Sequence, residues 1–150
     1  MGAVVSRPDL VEVYIKLGVE FDLPILFIRE PTAELKQVPG LMDRFPALLS
    51  MLEKRGLPVL DRLEQHYGGT SHAERRQTYI DTIKSLKPGV TQIIIHCGYD
   101  DAELQSITSS ASRRDGDRRI FCEPEIKALL EANDVQIIGW REFRAMQKKK

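Results

Sequence analysis

The stretch TQIIIHCGYDDAEL, Thr91 to Leu104, carries the residue types in this chain best suited to chemistry. An apolar run ends on His96 and is followed by Cys97, Gly98 and the pair Asp100-Asp101. An imidazole at the mouth of a strand can take or give a proton near neutral pH. The competing reading is a buried histidine satisfied by a backbone carbonyl, and position alone leaves both open. Asp100 and Asp101 resemble a carboxylate pair for a metal. Opening a helix explains them without one, because the N-cap and the positive end of the helix dipole favour carboxylates. Cys97 stands beside a histidine as a nucleophile would. Neighbours in a strand point to opposite faces, however, so Cys97 is expected to be a buried apolar thiol. His66 and His72 flank a YGG turn and are expected in a solvated loop.

The elements that would position these groups follow from periodicity. Ser6-Arg7-Pro8-Asp9 opens a helix whose apolar stripe is Leu10, Tyr14, Leu17 and Phe21. ILFI, Ile25 to Ile28, reads as a fully buried strand stopping at Arg29, and Pro31 to Gly40 as a loop. A helix from about Pro46 to Arg55 buries Leu48, Leu49 and Leu52, with Gly56 at its end. LPVLD, Leu57 to Asp61, is a second strand. Ser71 and Glu74 have capping-box spacing, and the helix they begin turns Tyr79, Ile80, Ile83 and Leu86 inward. TQIIIH is the third strand, followed by a short helix from Asp100 and a polar, irregular stretch from Ser109 to Arg119. A helix from Pro124 carries Ile126, Leu129 and Leu130. VQIIGW is the fourth strand, and a short last helix turns Phe143 and Met146 inward.

This alternation predicts a single α/β domain over residues 1–150, a parallel sheet with helices packed on it. Ligands in such folds bind at the carboxyl ends of the strands. Those ends carry Arg29, Asp61, His96 and Trp140-Arg141, which would share one rim. Every strand must end on something, so each of these residues taken singly also has a structural reading.

Composition narrows the partners. Lysine and arginine number 22 against 22 aspartate and glutamate, so no electrostatic case exists for nucleic acid or an anionic membrane as the main target. The final KKK reads as a solvated end. There are 2 cysteines, Cys97 and Cys122, with no zinc spacing, which suits a reducing cytoplasm. No apolar run approaches a membrane span, and MGAVVS, although it satisfies a myristoylation pattern, reads as an ordinary start. The chain carries neither G-x-G-x-x-G nor G-x-x-x-x-G-K-[ST], which removes the case for a doubly wound nucleotide binder.

The run PGVTQIIIHCGYDDAELQSIT, the arginine-rich SRRDGDRRIF and then EPEIKALLEANDVQIIGWREF together resemble the C-terminal half of the YdjC-like carbohydrate deacetylases. Cys97 stands where that family usually has proline. The resemblance implies the second half of a (β/α) barrel-like fold. It also implies a divalent-metal hydrolase, using magnesium or zinc, that cleaves the acetamido C–N bond of an N-acetylated sugar. In it His96 would protonate the leaving amine and Arg29 would hold substrate, with Asp61, Trp140 and Arg141 as further rim contacts to a small carbohydrate. The family's metal ligands come from early segments that have no counterpart between Met1 and Lys150, so the expectation is a chain without its metal ligands and without turnover on its own. The alternative is a non-catalytic α/β remnant or a sugar-binding module, in either case self-associating. Unpaired edges of a part-barrel sheet predict a homo-oligomer.

Overall fold

The computed structural model describes residues 6–67, 69 and 71–147. Met1 to Val5 of the myristoylation-like pattern, Gly68 and Thr70 of the glycine turn, and the terminal lysines lie outside the described residues. The fold is mixed α/β, with helices packed on a small parallel sheet. Its residues fall into two compact units, one running up to Leu63 and resuming at Ile138, the other Glu64–Ile137.

In the first unit, helix α1 (Pro8–Glu20) starts with proline at its first position and an Arg7–Asp9 ion pair at 2.7 Å. It buries Val11, Ile15 and Gly18, not the expected stripe. Leu10, Leu17 and Phe21 are 40%, 47% and 61% exposed. Two apolar lines run down this helix with the same period, so periodicity does not say which faces the core. Tyr14 lies between them, its hydroxyl accepting from the Leu26 amide at 2.9 Å. Gly18 permits the close approach: a Cβ there would stand 2.8 Å from Ile25 Cγ2 and 3.2 Å from the Leu23 carbonyl oxygen.

Pro31 to Gly40 is not wholly loop, since Thr32 caps a one-turn helix α2 (Ala33–Lys36). Helix α3 (Leu41–Arg55) begins five residues before Pro46 and carries that proline internally. It buries Leu41, Phe45, Leu48 and Leu52, and it ends on Gly56, whose φ of 79° is the left-handed conformation expected there. Phe45 stacks on Phe27 at 4.9 Å, joining α3 to the ILFI segment. The expected strands at 25–28 and 57–61 reduce to one parallel bridge between Ile28 and Leu60. Arg29 N–H donates to Leu60 O at 2.8 Å and Leu60 N–H to Phe27 O at 3.0 Å. Pro24, just before the first run, and Pro58, inside the second, have no amide donor to give a ladder. The last helix, α8 (Trp140–Ala145), belongs to this unit; Phe143 is buried as expected, but Met146 is 49% exposed.

The second unit is built around a strand not foreseen, β1 (Arg62–Gln65), which enters it at Glu64 and pairs with β2 (Thr91–Ile94). Helix α4 (His72–Ser85) opens on the expected capping box: Glu74 N–H donates to Ser71 Oγ at 3.2 Å and Ser71 N–H to Glu74 at 3.0 Å. Its buried face is Arg75, Tyr79, Thr82 and Ile83, so two of the four inward positions are polar. A short helix α5 (Ala102–Ile107) follows β2.

The supposedly irregular segment is helix α6 (Ala111–Phe121). Its charges serve one another, Asp115 pairing with Arg118 at 2.7 Å and Arg119 at 3.0 Å, while Ala111, Gly116, Asp117 and Ile120 turn inward. Helix α7 (Pro124–Ala132) buries Ile126 and Leu130 as expected, with Leu129 partly covered. VQIIGW forms no strand. Val135 N–H caps α7 by donating to Leu130 O at 2.9 Å, Ile137 is 77% exposed, and Trp140 already opens α8. Among the described residues no helix is long and apolar enough to cross a membrane.

Candidate active-site residues

The residues expected at the strand ends fall in both compact units, Arg29, Asp61, Trp140 and Arg141 in the first and His96 in the second. His96 lies in the second unit, two residues beyond the end of β2. It is half-buried, and its ring makes no hydrogen bond or ion pair among the described residues. The ring's neighbour is Tyr67, at 6.3 Å between centroids and 38°. A structural histidine satisfied by a carbonyl would have its ring engaged; this one is held by its backbone instead. His96 N–H donates to Asp117 Oδ2 at 3.3 Å.

That contact leads to a buried polar cluster the sequence did not announce. Asp117, Arg75 and Tyr79 are 2%, 4% and 1% exposed. Asp117 Oδ1 accepts from Arg75 Nε at 3.1 Å, from Tyr79 Oη at 3.0 Å, and from Arg75 Nη2. Arg75 Nη2 also donates to Tyr79 Oη at 3.0 Å. Removal from water, reinforced by the hydrogen bond to the Asp117 carboxylate, pushes the Tyr79 phenol up to about 12. No local sequence signal located the cluster, because Asp117 stands among Arg113, Arg114, Asp115, Arg118 and Arg119 in α6.

The neighbours of His96 settle two further expectations. Cys97 is exposed, not buried, because the chain has left the strand before reaching it. Desolvation of its sulfur, with the Asp117 carboxylate adding, raises the thiol pKa, which is the wrong direction for a nucleophile. Asp101 accepts from Leu104 N–H at 2.9 Å as the N-cap of α5, the helix-opening role expected, while Asp100 accepts from the Gln105 side chain, Nε2, at 2.9 Å.

In the first unit Arg29 and Asp61 are brought together, Arg29 Nε standing 3.4 Å from Asp61 Oδ1. The same guanidinium meets Glu53 Oε1 at 2.5 Å, a partner sequence reasoning missed. All three side chains are one-third exposed or more, so the cluster offers fixed donors and acceptors of the kind sugar hydroxyls use. Trp140 and Arg141 begin α8 in this unit. Trp140 packs edge-on against Phe143 at 5.7 Å and stays 49% exposed, and Arg141 is exposed without an ion pair among the described residues.

Neither remaining histidine sits in a solvated loop alone. His66 Nε2 lies 2.9 Å from Thr82 Oγ1, and His72 opens α4 with Nε2 3.8 Å from Glu123. Among the described residues no three His, Cys, Asp or Glu side chains come together as a ligand set for a metal ion. A resident divalent ion does not fit these residues.

The profile of the family described as YdjC-like protein matches residues 2–132. A carbohydrate deacetylase of Thermoanaerobacter pseudethanolicus is 20% identical over 135 residues, covering 90% of this chain and 47% of that protein. The crystal structure of a protein assigned to cellobiose-phosphate cleavage, from Enterococcus faecalis V583, superposes with a TM-score of 0.65 at 16% identity, over 95% of this chain and 50% of that one. The chain thus spans about half the length of these relatives, and the structural likeness is one of fold.

Proposed function

The chain belongs to the YdjC-like family, and from that premise we propose that it serves carbohydrate deacetylation, the hydrolysis of the acetamido C–N bond of an N-acetylated sugar. The observation that carries this reading is the state of His96: backbone anchored beyond the strand end, ring uncommitted among the described residues. Such an imidazole can deliver a proton to a departing sugar amine. Arg29, fixed between Glu53 and Asp61, is proposed to hold sugar hydroxyls, with Trp140 and Arg141 as further contacts. The divalent metal implied by the family is proposed to depend on ligands other than the described residues, so this polypeptide alone is expected to bind sugar without turning it over. The exposed Leu10, Val13, Leu17 and Phe21 of the first unit support the proposal of a homo-oligomer. Two free, exposed cysteines support a reducing, cytoplasmic setting.

Titrating isotope-labelled protein with an oligomer of N-acetylglucosamine, followed by histidine ring resonances, tests the reading. The His96 ring signals should shift, and less with the deacetylated oligomer. Indifference of His96 to both sugars would remove the case for it as proton donor. Acetate release by the 150-residue chain with added zinc or magnesium would overturn the claim that binding occurs here without turnover.

A further inference from the structure

Beyond β2, which ends at Ile94, the chain has no ladder to hold it. His96 N–H would have no strand acceptor there, and Cys97 N–H has no hydrogen-bond acceptor among the described residues. Among the described residues two hydrogen bonds tie this stretch to α6: Asp117 Oδ2 takes His96 N–H at 3.3 Å, and Arg114 O takes Gly98 N–H at 3.3 Å. The two oxygens of Asp117 divide their work. Oδ1 is occupied by Arg75 and Tyr79, which leaves Oδ2 aimed at the histidine backbone.

We propose that Asp117 is the positioning residue for His96, its buried carboxylate oriented by Arg75 and Tyr79 and fixing the backbone that carries the proton donor. The role of His96 rests on the function proposed above; the hold on its backbone does not. A buried aspartate–arginine pair is a poor way to stabilise a core, since apolar residues of the same volume do as well or better once desolvation is counted. What an apolar replacement cannot do is accept a backbone N–H at a chosen place. The carboxylate is set in a cluster at most 4% exposed, so its direction is fixed by the core, and the bond it offers the part-buried His96 N–H is charge-assisted.

Amide hydrogen exchange on the whole chain tests this. In the native protein His96 N–H should be protected like the amides of β2 while Cys97 N–H exchanges freely. Equal, fast exchange at both would overturn the proposal without any variant. Asp117→Asn separates the two oxygens: its carbonyl can still accept from Arg75 and Tyr79, while its amide presents N–H to N–H at His96. Protection of His96 should fall about 10- to 100-fold relative to Ile93, with a shift of the His96 ring resonances. If His96 and Ile93 lose protection together, Asp117 is merely structural and the proposal fails. Should Asp117→Asn not fold, Tyr79→Phe, which removes one donor from Oδ1, should still loosen His96 more than Ile93, and an equal loss at both counts against the proposal. Sugar titration of the same samples keeps the readings apart. A sugar-responsive His96 that ignores Asp117→Asn refutes the positioning role alone, and an anchored His96 that ignores sugar refutes the function alone.

Discussion

Replacing Tyr79 by Phe should cost stability at neutral pH and cost almost none in strong alkali. The hydroxyl removed donates to Asp117 and accepts from Arg75, each at 3.0 Å, on a side chain 1% exposed. Hydrogen bonds to charged groups contribute about 1.5–3 kcal/mol, and Arg75 and Asp117 keep each other when the hydroxyl goes, so a loss of about 2 kcal/mol is expected. The pH dependence follows from the phenol being pushed up to about 12, above the ordinary value of 10.0, by burial first and Asp117 second. Because the folded value is the higher one, the unfolded chain gives up this proton first as pH rises. Stability tied to the neutral phenol is therefore complete below pH 10 and lost as pH climbs through about 12, a total of about 3 kcal/mol. Phenylalanine has no proton to lose. The wild-type advantage should shrink from about 2 kcal/mol at neutrality to near zero around pH 12. Urea unfolding of both proteins by circular dichroism across that range measures it, the difference between them cancelling every other titrating group. A gap that stays constant to pH 12 would refute the claim that burial and Asp117 hold this proton.

Leu52→Ala, at a position 0% exposed in the core of the first unit, should lower stability by about 2–5 kcal/mol in thermal unfolding. Gly18→Ala should destabilise by about 1–3 kcal/mol although alanine is the better helix former, because its Cβ would meet Ile25 Cγ2 at 2.8 Å; a stabilised variant would contradict the close packing of α1 on that segment. Ser71→Ala removes one half of the capping box of α4 and should cost about 1 kcal/mol, with the first amides of α4 exchanging faster.

Local chemistry was legible in the sequence wherever one residue type has one physical use. The capping box at Ser71 and Glu74, the left-handed Gly56, the Asp101 cap and the proline start of α7 all stand where residue type and spacing put them. Sheet content was legible only in part: TQIIIH supplies β2, Thr91–Ile94, where a strand was expected, but two other runs do not pair as their composition suggests. ILFI and VQIIGW have the composition of buried strands, yet pairing needs a partner at the right distance with free N–H groups. The first finds one bridge with Leu60, and the second spends Val135 N–H on the end of α7. Helix α1 failed differently: Leu10, Leu17 and Phe21 obey the helical period as well as Val11, Ile15 and Gly18 do, and only packing against Ile25 decides which line turns inward.

The same distinction separates His96 from Asp117. A histidine ending an apolar run announces its place, because the run must be covered and the polar residue must mark where cover stops. Asp117 sits in a segment so rich in charge that one more aspartate carries no local information. Its neighbours Asp115, Arg118 and Arg119 carry charges of the same kinds and pair with one another within the helix. What distinguishes it is that α6 turns it inward toward Arg75, 42 residues earlier in the chain, which is a property of the packed helices and not of either segment. A residue at the edge of an apolar run, such as His96, is therefore easier to find in the sequence than a buried partner such as Asp117, since the first is defined by an edge and the second only by a contact made on folding.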